Sequence, residues 1–309
     1  MAADTGAFDV SVVVPTRGRP NLLPRTLDSI RQQDFPGSIE CIVVRDEPGG
    51  GEPAPIRVDG RVALRELRNE RAPGLPGARN TGIMAARGRL VAFCDDDDWW
   101  DPRKLRLQVA AMQERADAVV VSCANVVHCA GRQTIRRAPR GLVTFQDLLR
   151  SRMAVLHSST ILARRHTVID RIGLVDESIP RGASEDYEWQ LRAARIAPIR
   201  VVDEPLVEIE WHDGSLYHRE WDVYVGGLEY ILGRYGEFAG CPRGRARLEG
   251  QIAFGYASMR DRREAARWIA RCIRHDWRQP RGYLALMVGT GLLPPDRLVA
   301  WLNVRGKSV

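Results

Sequence analysis

Lysine is almost missing from these 309 residues: only Lys104 and Lys307 occur, so the basic side chains are nearly all arginine. The six cysteines (Cys41, Cys94, Cys123, Cys129, Cys241 and Cys272) form no CxxC pair and no zinc-ligand spacing. They read as free thiols in a reducing compartment. No Walker-type phosphate loop, no GxGxxG and no HExxH is present, so those nucleotide and metalloprotease classes gain no support. The start, MAADTGAFDV, lacks the basic and apolar stretches of a secretory signal. The longest apolar run near the C-terminus, LALMVGTGLLPP, is too short and interrupted to cross a bilayer, which takes about 20 apolar residues. A cytoplasmic setting is expected, with a peripheral place at the inner face of the membrane as the variant. The first 215 residues show no basic patch interleaved with aromatics, so no nucleic-acid partner is expected.

The apolar share of 44% is enough for a sizeable core. The net charge of +7 is uneven: residues 216–309 carry 16 Arg plus Lys against 9 Asp plus Glu, so the first 215 balance. Such a basic tail is read first as a solvated helical face, and second as a contact for an anionic surface.

Residues 10–15 (VSVVVP) suit a buried strand, and TRGRP after them a turn. Asn21 is placed to cap a helix reaching about Gln33. Residues 40–44 and 61–67 read as strands, with a Gly- and Pro-rich loop over 46–60. PGLPG opens a helix running to about Arg87, ended by Gly88. Residues 90–94 form a strand, Asp101-Pro102 starts a helix, and 118–127, 155–163 and 201–211 read as strands. A helix spans 185–196, with Ser184 as a simple cap. Beyond residue 216 the pattern is helical, including an antiparallel pair over 248–258 and 263–275 with Arg263, Arg267 and Arg271 on one face. Strands alternating with helices imply an α/β fold with a mainly parallel sheet, whose ligands bind beyond the carboxyl ends of the strands.

FCDDDDWW, residues 93–100, lies at such an end. Adjacent carboxylates suit a hard divalent cation, which takes oxygen ligands together with substrate phosphates. In an extended segment Asp95 and Asp97 would share one face, and Asp96 and Asp98 the other. One pair could then hold a metal while the other meets a ribose or caps the next helix. Trp99 and Trp100 could stack on a sugar or base, with at least one expected in the core. Arg17 and Arg19 flank a turn glycine, where they suit donor phosphates or solvent. Cys123, His128 and Cys129 make no convincing metal site.

Three segments resemble family 2 glycosyltransferases: residues 10–33 (VSVVVPTRGRPNLLPRTLDSIRQQ), residues 68–104 around the acidic run, and SEDYEWQLRAAR at 184–195, preceded by HSSTILARR and IGLVDE. The resemblance implies a GT-A, Rossmann-like nucleotide-diphospho-sugar transferase over residues 1–215, with donor binding in 8–104 and the acceptor and base part in 105–215. Residues 216–309 would form an α-helical region. It further implies an inverting, metal-dependent transfer from a nucleotide sugar. UDP is the first expectation, with dTDP and GDP open. Pro15, Thr16, Arg17 and Asp46 would face the nucleotide, as would Arg79. Asp95, Asp96 and Asp97 would form the DxD region, with Asp97 the best ligand for Mn2+ or Mg2+ and Asp95 and Asp96 facing the metal or the ribose. His212 would be a third ligand. Asp186 would be the general base, with Glu185 as the alternative. The acceptor would be a hydroxyl-bearing glycan, lipid-linked or small molecule, held by residues 130–160 and the segment after His212. The C-terminal helices would cap the domain, join a homodimer or touch a membrane. One departure is Arg45, where the family often has an acid. The competing readings are a sugar-phosphate nucleotidyltransferase and a nucleotide-sugar binding protein without turnover.

Overall fold

The computed structural model describes residues 7–47, 57–59, 61–129, 131–211 and 220–304. Its centre is a sheet begun by β1 (Phe8–Thr16), flanked by β2 (Ile39–Arg45) and β5 (Gly88–Phe93), both parallel to it. β4 (Val62–Arg68) extends the parallel set beyond β2, and β3 (Arg57–Asp59) edges it antiparallel. On the other side the short β10 (Leu162–Arg164) joins β5 to β7 (Val120–Cys129), and β7 runs parallel to β11 (Ile199–Trp211). β6 (Trp99–Trp100), β8 (Arg132–Arg136) and β9 (Leu142–Val143) are short antiparallel additions. The long registers are the parallel ones, as expected of a mainly parallel sheet.

The alternation of β1 decides which helix packs where. Val10, Val12 and Val14 face one apolar layer with α1 (Leu23–Arg31) and α3 (Lys104–Gln113), through Ile30, Leu105 and Met112. Val13 faces the other layer with α2 (Leu75–Ala85), through Ala78 and Ile83. α2 approaches so closely that a Cβ on Gly82 would lie 2.3 Å from Val13 Cγ1. That second layer continues past α4 (Phe145–Arg150), a one-turn α5 (Arg165–Thr167) and α6 (Glu185–Ile196) into the helices that follow. These are α7 (Trp221–Arg234), α8 (Pro242–Ser258), α9 (Arg262–His275), α10 (Pro280–Gly289) and α11 (Pro295–Val304). Tyr187, Phe254, Trp268 and Val288 belong to one apolar cluster, so the helices share the core of the sheet domain. Among the described residues no helix is long and apolar enough to cross a membrane.

Several expected boundaries shift for local reasons. Leu22, not Asn21, precedes α1, and no side chain caps it. Gly88 begins β5 instead of ending α2, because its amide is bonded by Ser11 Oγ at 2.8 Å and backbone packs against it. Residues 155–163 are not one strand: a 3-10 turn, Ser158–Thr160, interrupts them before β10. Ser184 makes no cap; it sits in the left-handed region at φ 66°. All six cysteines are free thiols, five of them buried. On α9, Arg271 reaches the buried Glu249 at 3.3 Å and Arg267 lies 3.4 Å from Glu264, so the arginine stripe is partly neutralised internally.

Candidate active site

The carboxyl ends of β1, β2 and β5 bring together Thr16, Asp46 and the acidic run, the place where parallel sheets bind ligands. The run does not continue extended. The Asp98 amide donates to the Asp95 carbonyl at 3.1 Å, closing a four-residue turn. The expected alternation therefore fails: Asp95 and Asp98 converge, while Asp96 and Asp97 are drawn towards β1. Thr26 of α1 fixes the turn by donating to the carbonyls of Asp96 and Asp98 at 3.0 and 2.8 Å.

Each carboxylate has its own partner. Thr16 Oγ1 donates to Asp96 at 2.6 Å. Arg19 bridges Asp97 at 2.6 Å and Asp96 at 3.3 Å. Ser159 Oγ accepts the Asp95 amide at 3.0 Å and donates to Asp98. His157 Nδ1 lies 3.4 Å from Asp98. One donor atom each from Asp95, Asp98 and His157 lie within 4.8 Å of one another. Burial raises the Asp98 carboxyl well above its ordinary value, and the charges of Asp95 and Asp97 add to this. Asp96 is pushed to about 6 by burial, against the pull of Thr16 and Arg19. Asp95 is half-buried, and its desolvation would raise it, but Arg79 and His157 outweigh that and hold it low.

Arg79 of α2 links the run to α6. It is 4% exposed, donates to Asp95 at 2.7 Å and pairs with Glu185. Burial pushes the Glu185 carboxyl up to about 7, with Arg79 opposing. The next residue differs. Asp186 takes both its oxygens to Arg152 Nη2, at 2.9 and 2.7 Å. Burial alone would raise its pKa, but Arg152, His157 and Arg79 prevail and keep it below the ordinary carboxylate value. The strained Ser184 backbone precedes this pair, and such conformations persist where surrounding structure enforces them.

A cleft of about 300 Å3 opens beside the run, lined by Pro15, Thr16, Arg17, Arg19 and Asp46, with the start of α2 as its other wall. Asp46 accepts from Asn69 at 2.6 Å and from the Gly74 amide at 2.8 Å, and Arg17 lies 3.8 Å away. Gly74 has φ 113°, a conformation that only glycine adopts without strain. Among the tryptophans, Trp100 is buried beneath the Lys104 ammonium, while Trp99 is half-buried under the Arg25 guanidinium. His128 is engaged by Glu208.

The residues singled out in the sequence thus separate into a cleft group (Pro15, Thr16, Arg17 and Asp46) and a carboxylate group (Asp95, Asp96 and Asp97) that Arg79 ties to Glu185 and Asp186. His212 lies outside the described residues. The sequence carries no sign of Arg152, Ser159, His157 or the packing role of Asp98. HSSTILARR resembles a family segment, yet nothing local shows that its Ser159 reaches 61 residues back to Asp98. Arg152 is one arginine among many and carries no sequence signal.

Residues 11–172 match the family model described as Glycosyl transferase family 2. The chain is 38% identical over 130 residues to succinoglycan biosynthesis protein ExoO of Rhizobium meliloti, covering 40% of this chain and 35% of that protein. It is 30% identical over 103 residues to the UDP-Glc:alpha-D-GlcNAc-diphosphoundecaprenol beta-1,3-glucosyltransferase WfgD of Escherichia coli, covering 33% of this chain and 40% of that one. The matches thus span well under half the length of these curated relatives. Among solved structures, residues 1–349 of S. aureus TarS in complex with UDP-GlcNAc superpose with a TM-score of 0.65. That match has 18% identity and covers 97% of this chain and 92% of the other, a likeness of fold.

Proposed function

The chain belongs to glycosyl transferase family 2, and from that premise we propose a metal-dependent, inverting transfer of sugar from a nucleotide-diphosphate sugar, UDP first, to an acceptor hydroxyl. The observation that carries this reading is the Arg79 bridge. It joins a carboxylate cluster at the strand ends to a second carboxylate pair more than eighty residues later, beside a cleft of nucleoside size. A glycosyl transfer needs two such centres, one for the leaving diphosphate and one for the attacking hydroxyl.

In this reading Pro15, Thr16, Arg17 and Asp46 bind the nucleoside, and Arg79 holds Asp95 beside it while Asp96 faces the ribose. Asp97, with Asp95, would hold Mn2+ or Mg2+. Hard carboxylate oxygens suit such an ion, and the side chains of Asp97 and Asp95 remain 15% and 19% exposed; the donor atoms that already converge are those of Asp95, Asp98 and His157, so Asp97 would have to leave Arg19 to join them. When bound, the ion would neutralise charge on the departing diphosphate. Arg19, which holds Asp96 and Asp97 in this structure, would turn to the donor phosphates. Asp186 would take the proton of the acceptor hydroxyl. Its lowered pKa keeps it ionised at neutral pH, and its side chain is 12% exposed at the edge where Arg152 meets it, whereas Glu185 is committed to Arg79 and buried. The acceptor is a glycan, lipid-linked or small molecule bearing a hydroxyl; WfgD, by its name, acts on a diphosphoundecaprenol-linked sugar.

Thermal-shift measurement with UDP, GDP and dTDP, with and without Mn2+, tests the donor half without an acceptor. One nucleotide should stabilise the protein only when Mn2+ is present, and Asp97→Ala should weaken ion and nucleotide binding together. Nucleotide affinity unchanged by that substitution would refute the metal role.

A further inference from the structure

One of the last helices carries its bulk on the outside. Among the described residues nine large apolar side chains are exposed, and five of them fall between residues 277 and 292: Trp277, Tyr283, Leu286, Met287 and Leu292. Tyr283, Leu286 and Met287 follow the three-and-four spacing of one helix face along α10. The buried face of α10 is made of smaller residues, Gly282, Ala285 and Val288. Gly282 seats the helix against α9, where an added Cβ would lie 3.1 Å from Cys272 Sγ, and Gly289 faces Ala257 of α8. A helix that merely covers a core shows the reverse arrangement, with its large apolar residues inside and polar ones outside. The Tyr283 hydroxyl donates to the Trp277 carbonyl at 2.6 Å, which ties α10 to the turn that bears Trp277.

The charge excess of the chain falls in the same stretch. Residues 259–309 hold 11 Arg plus Lys against 4 Asp plus Glu, so the whole net charge of +7 belongs there. Arg274 and Arg278 precede α10 and Arg297 follows Leu292; all three are exposed, and Arg278 lies 5.1 Å from the Trp277 ring. Of the four acids, Asp261 caps α9 and Asp276 accepts the Arg278 amide. This charge decides between the surfaces that could cover the apolar face. A second copy meeting it about a two-fold axis would set each basic patch against itself. An anionic bilayer supplies an apolar layer and negative charge together. Leu and Met flanked by Trp, Tyr and arginine is the composition of a helix that lies in a lipid interface. At ten residues, about 15 Å, α10 is far too short to span a bilayer and long enough to lie along one.

We propose that α10, with Trp277 and Leu292 at its two ends, is a docking face for an anionic lipid bilayer. Tyr283, Leu286 and Met287 would enter the boundary of the acyl chains, while Arg274, Arg278 and Arg297 stay at the level of the lipid phosphates. The arginine stripe of α9 is a different feature, since Arg267 and Arg271 pair with Glu264 and Glu249. The docking face stands on these residues alone and survives a failure of the donor reading given above.

The test is co-sedimentation of the full chain with vesicles of phosphatidylcholine alone and of phosphatidylcholine mixed with phosphatidylglycerol, at low and high salt. The wild type should sediment with the mixed vesicles and far less with phosphatidylcholine alone, and its binding should weaken as salt rises. Trp277→Gln combined with Leu292→Gln removes the two most exposed members of the face, and should lower partitioning at least about tenfold. Leu286→Gln replaces that pair if circular dichroism shows it misfolded. Arg274→Gln combined with Arg278→Gln should lower partitioning about fivefold per arginine at low salt and much less at high salt. Absence of binding to the mixed vesicles, equal binding to phosphatidylcholine alone, or binding untouched by the apolar and the arginine substitutions would overturn the proposal. A dimer seen by light scattering that the apolar substitutions split would assign the face to a second copy and overturn it as well.

Discussion

Lys104 gives the sharpest test of the electrostatics. It begins α3 with no exposed surface, its ammonium donates to Gln108 Oε1 at 2.8 Å, and it lies 3.7 Å from the centre of the Trp100 ring. Among the described residues no carboxylate is bonded to it. Burial therefore lowers its pKa from 10.5 to about 8. At about 1.36 kcal/mol per pKa unit, the charged form costs the fold about 3 kcal/mol near neutral pH. The direction with pH follows from proton counts. Below pH 8 both states carry the proton and the cost is fully present. Between 8 and 10.5 the unfolded chain binds a proton that the native state has released, so stability rises with pH. From about pH 7.5 to 9.5 the gain amounts to about 2 kcal/mol. The thiols work against it: burial pushes Cys41 and Cys123 up to about 12, so stability is lost as they ionise in the unfolded chain above pH 9. Comparing the wild type with Lys104→Met cancels the thiols. The offset between the two at one pH mixes a lost cation–π contact and a stranded Gln108 oxygen with the lost charge, but the change of that offset with pH reports the lysine alone. Urea unfolding at pH 7.5, 8.5 and 9.5 should show wild type gaining about 2 kcal/mol on the variant across the range. Parallel curves would refute a buried, desolvated lysine.

Three further outcomes follow from the geometry. Asp186→Asn should lower kcat by about 10²–10⁴-fold while UDP affinity, read by calorimetry, stays at the wild-type value; equal losses in both would mean a structural role. Arg19→Gln should act in two directions, tightening Mn2+ alone, because Asp97 and Asp96 lose a bound cation, and weakening UDP in the presence of Mn2+. Manganese paramagnetic resonance reads the first effect and nucleotide titration the second. Gly244→Ala should destabilise the fold by about 3 kcal/mol in urea, because its Cβ would stand 1.8 Å from the Leu149 carbonyl oxygen where α8 meets α4; a stability equal to wild type would mean that α8 is not seated there.

What the sequence disclosed and what it hid divide along contact range. The run VSVVVP predicts β1 because a strand buried on both faces reads as near-continuous apolar residues, its one polar side chain, Ser11, being buried and bonded to Glu40, and α6 is read to the residue because its periodicity and acidic start agree. The acidic run was identifiable as a site, but its shape was not. Local alternation treats 95–98 as extended, whereas its conformation is set by hydroxyls from elsewhere: Thr26 holds two of its carbonyls, and Ser159 holds both the Asp95 amide and the Asp98 carboxylate. Four neighbouring carboxylates repel, and an extended strand would leave that repulsion to solvent and cations alone. The turn instead gives each acid a distinct partner: Arg79 for Asp95, Thr16 for Asp96, Arg19 for Asp97 and Ser159 for Asp98. A pattern of this kind depends on residues spread from 16 to 159, so no window of sequence contains it. The same argument explains why Arg152 carries no signal in the sequence: its meaning comes from Asp186, 34 positions away, which only the fold brings to it.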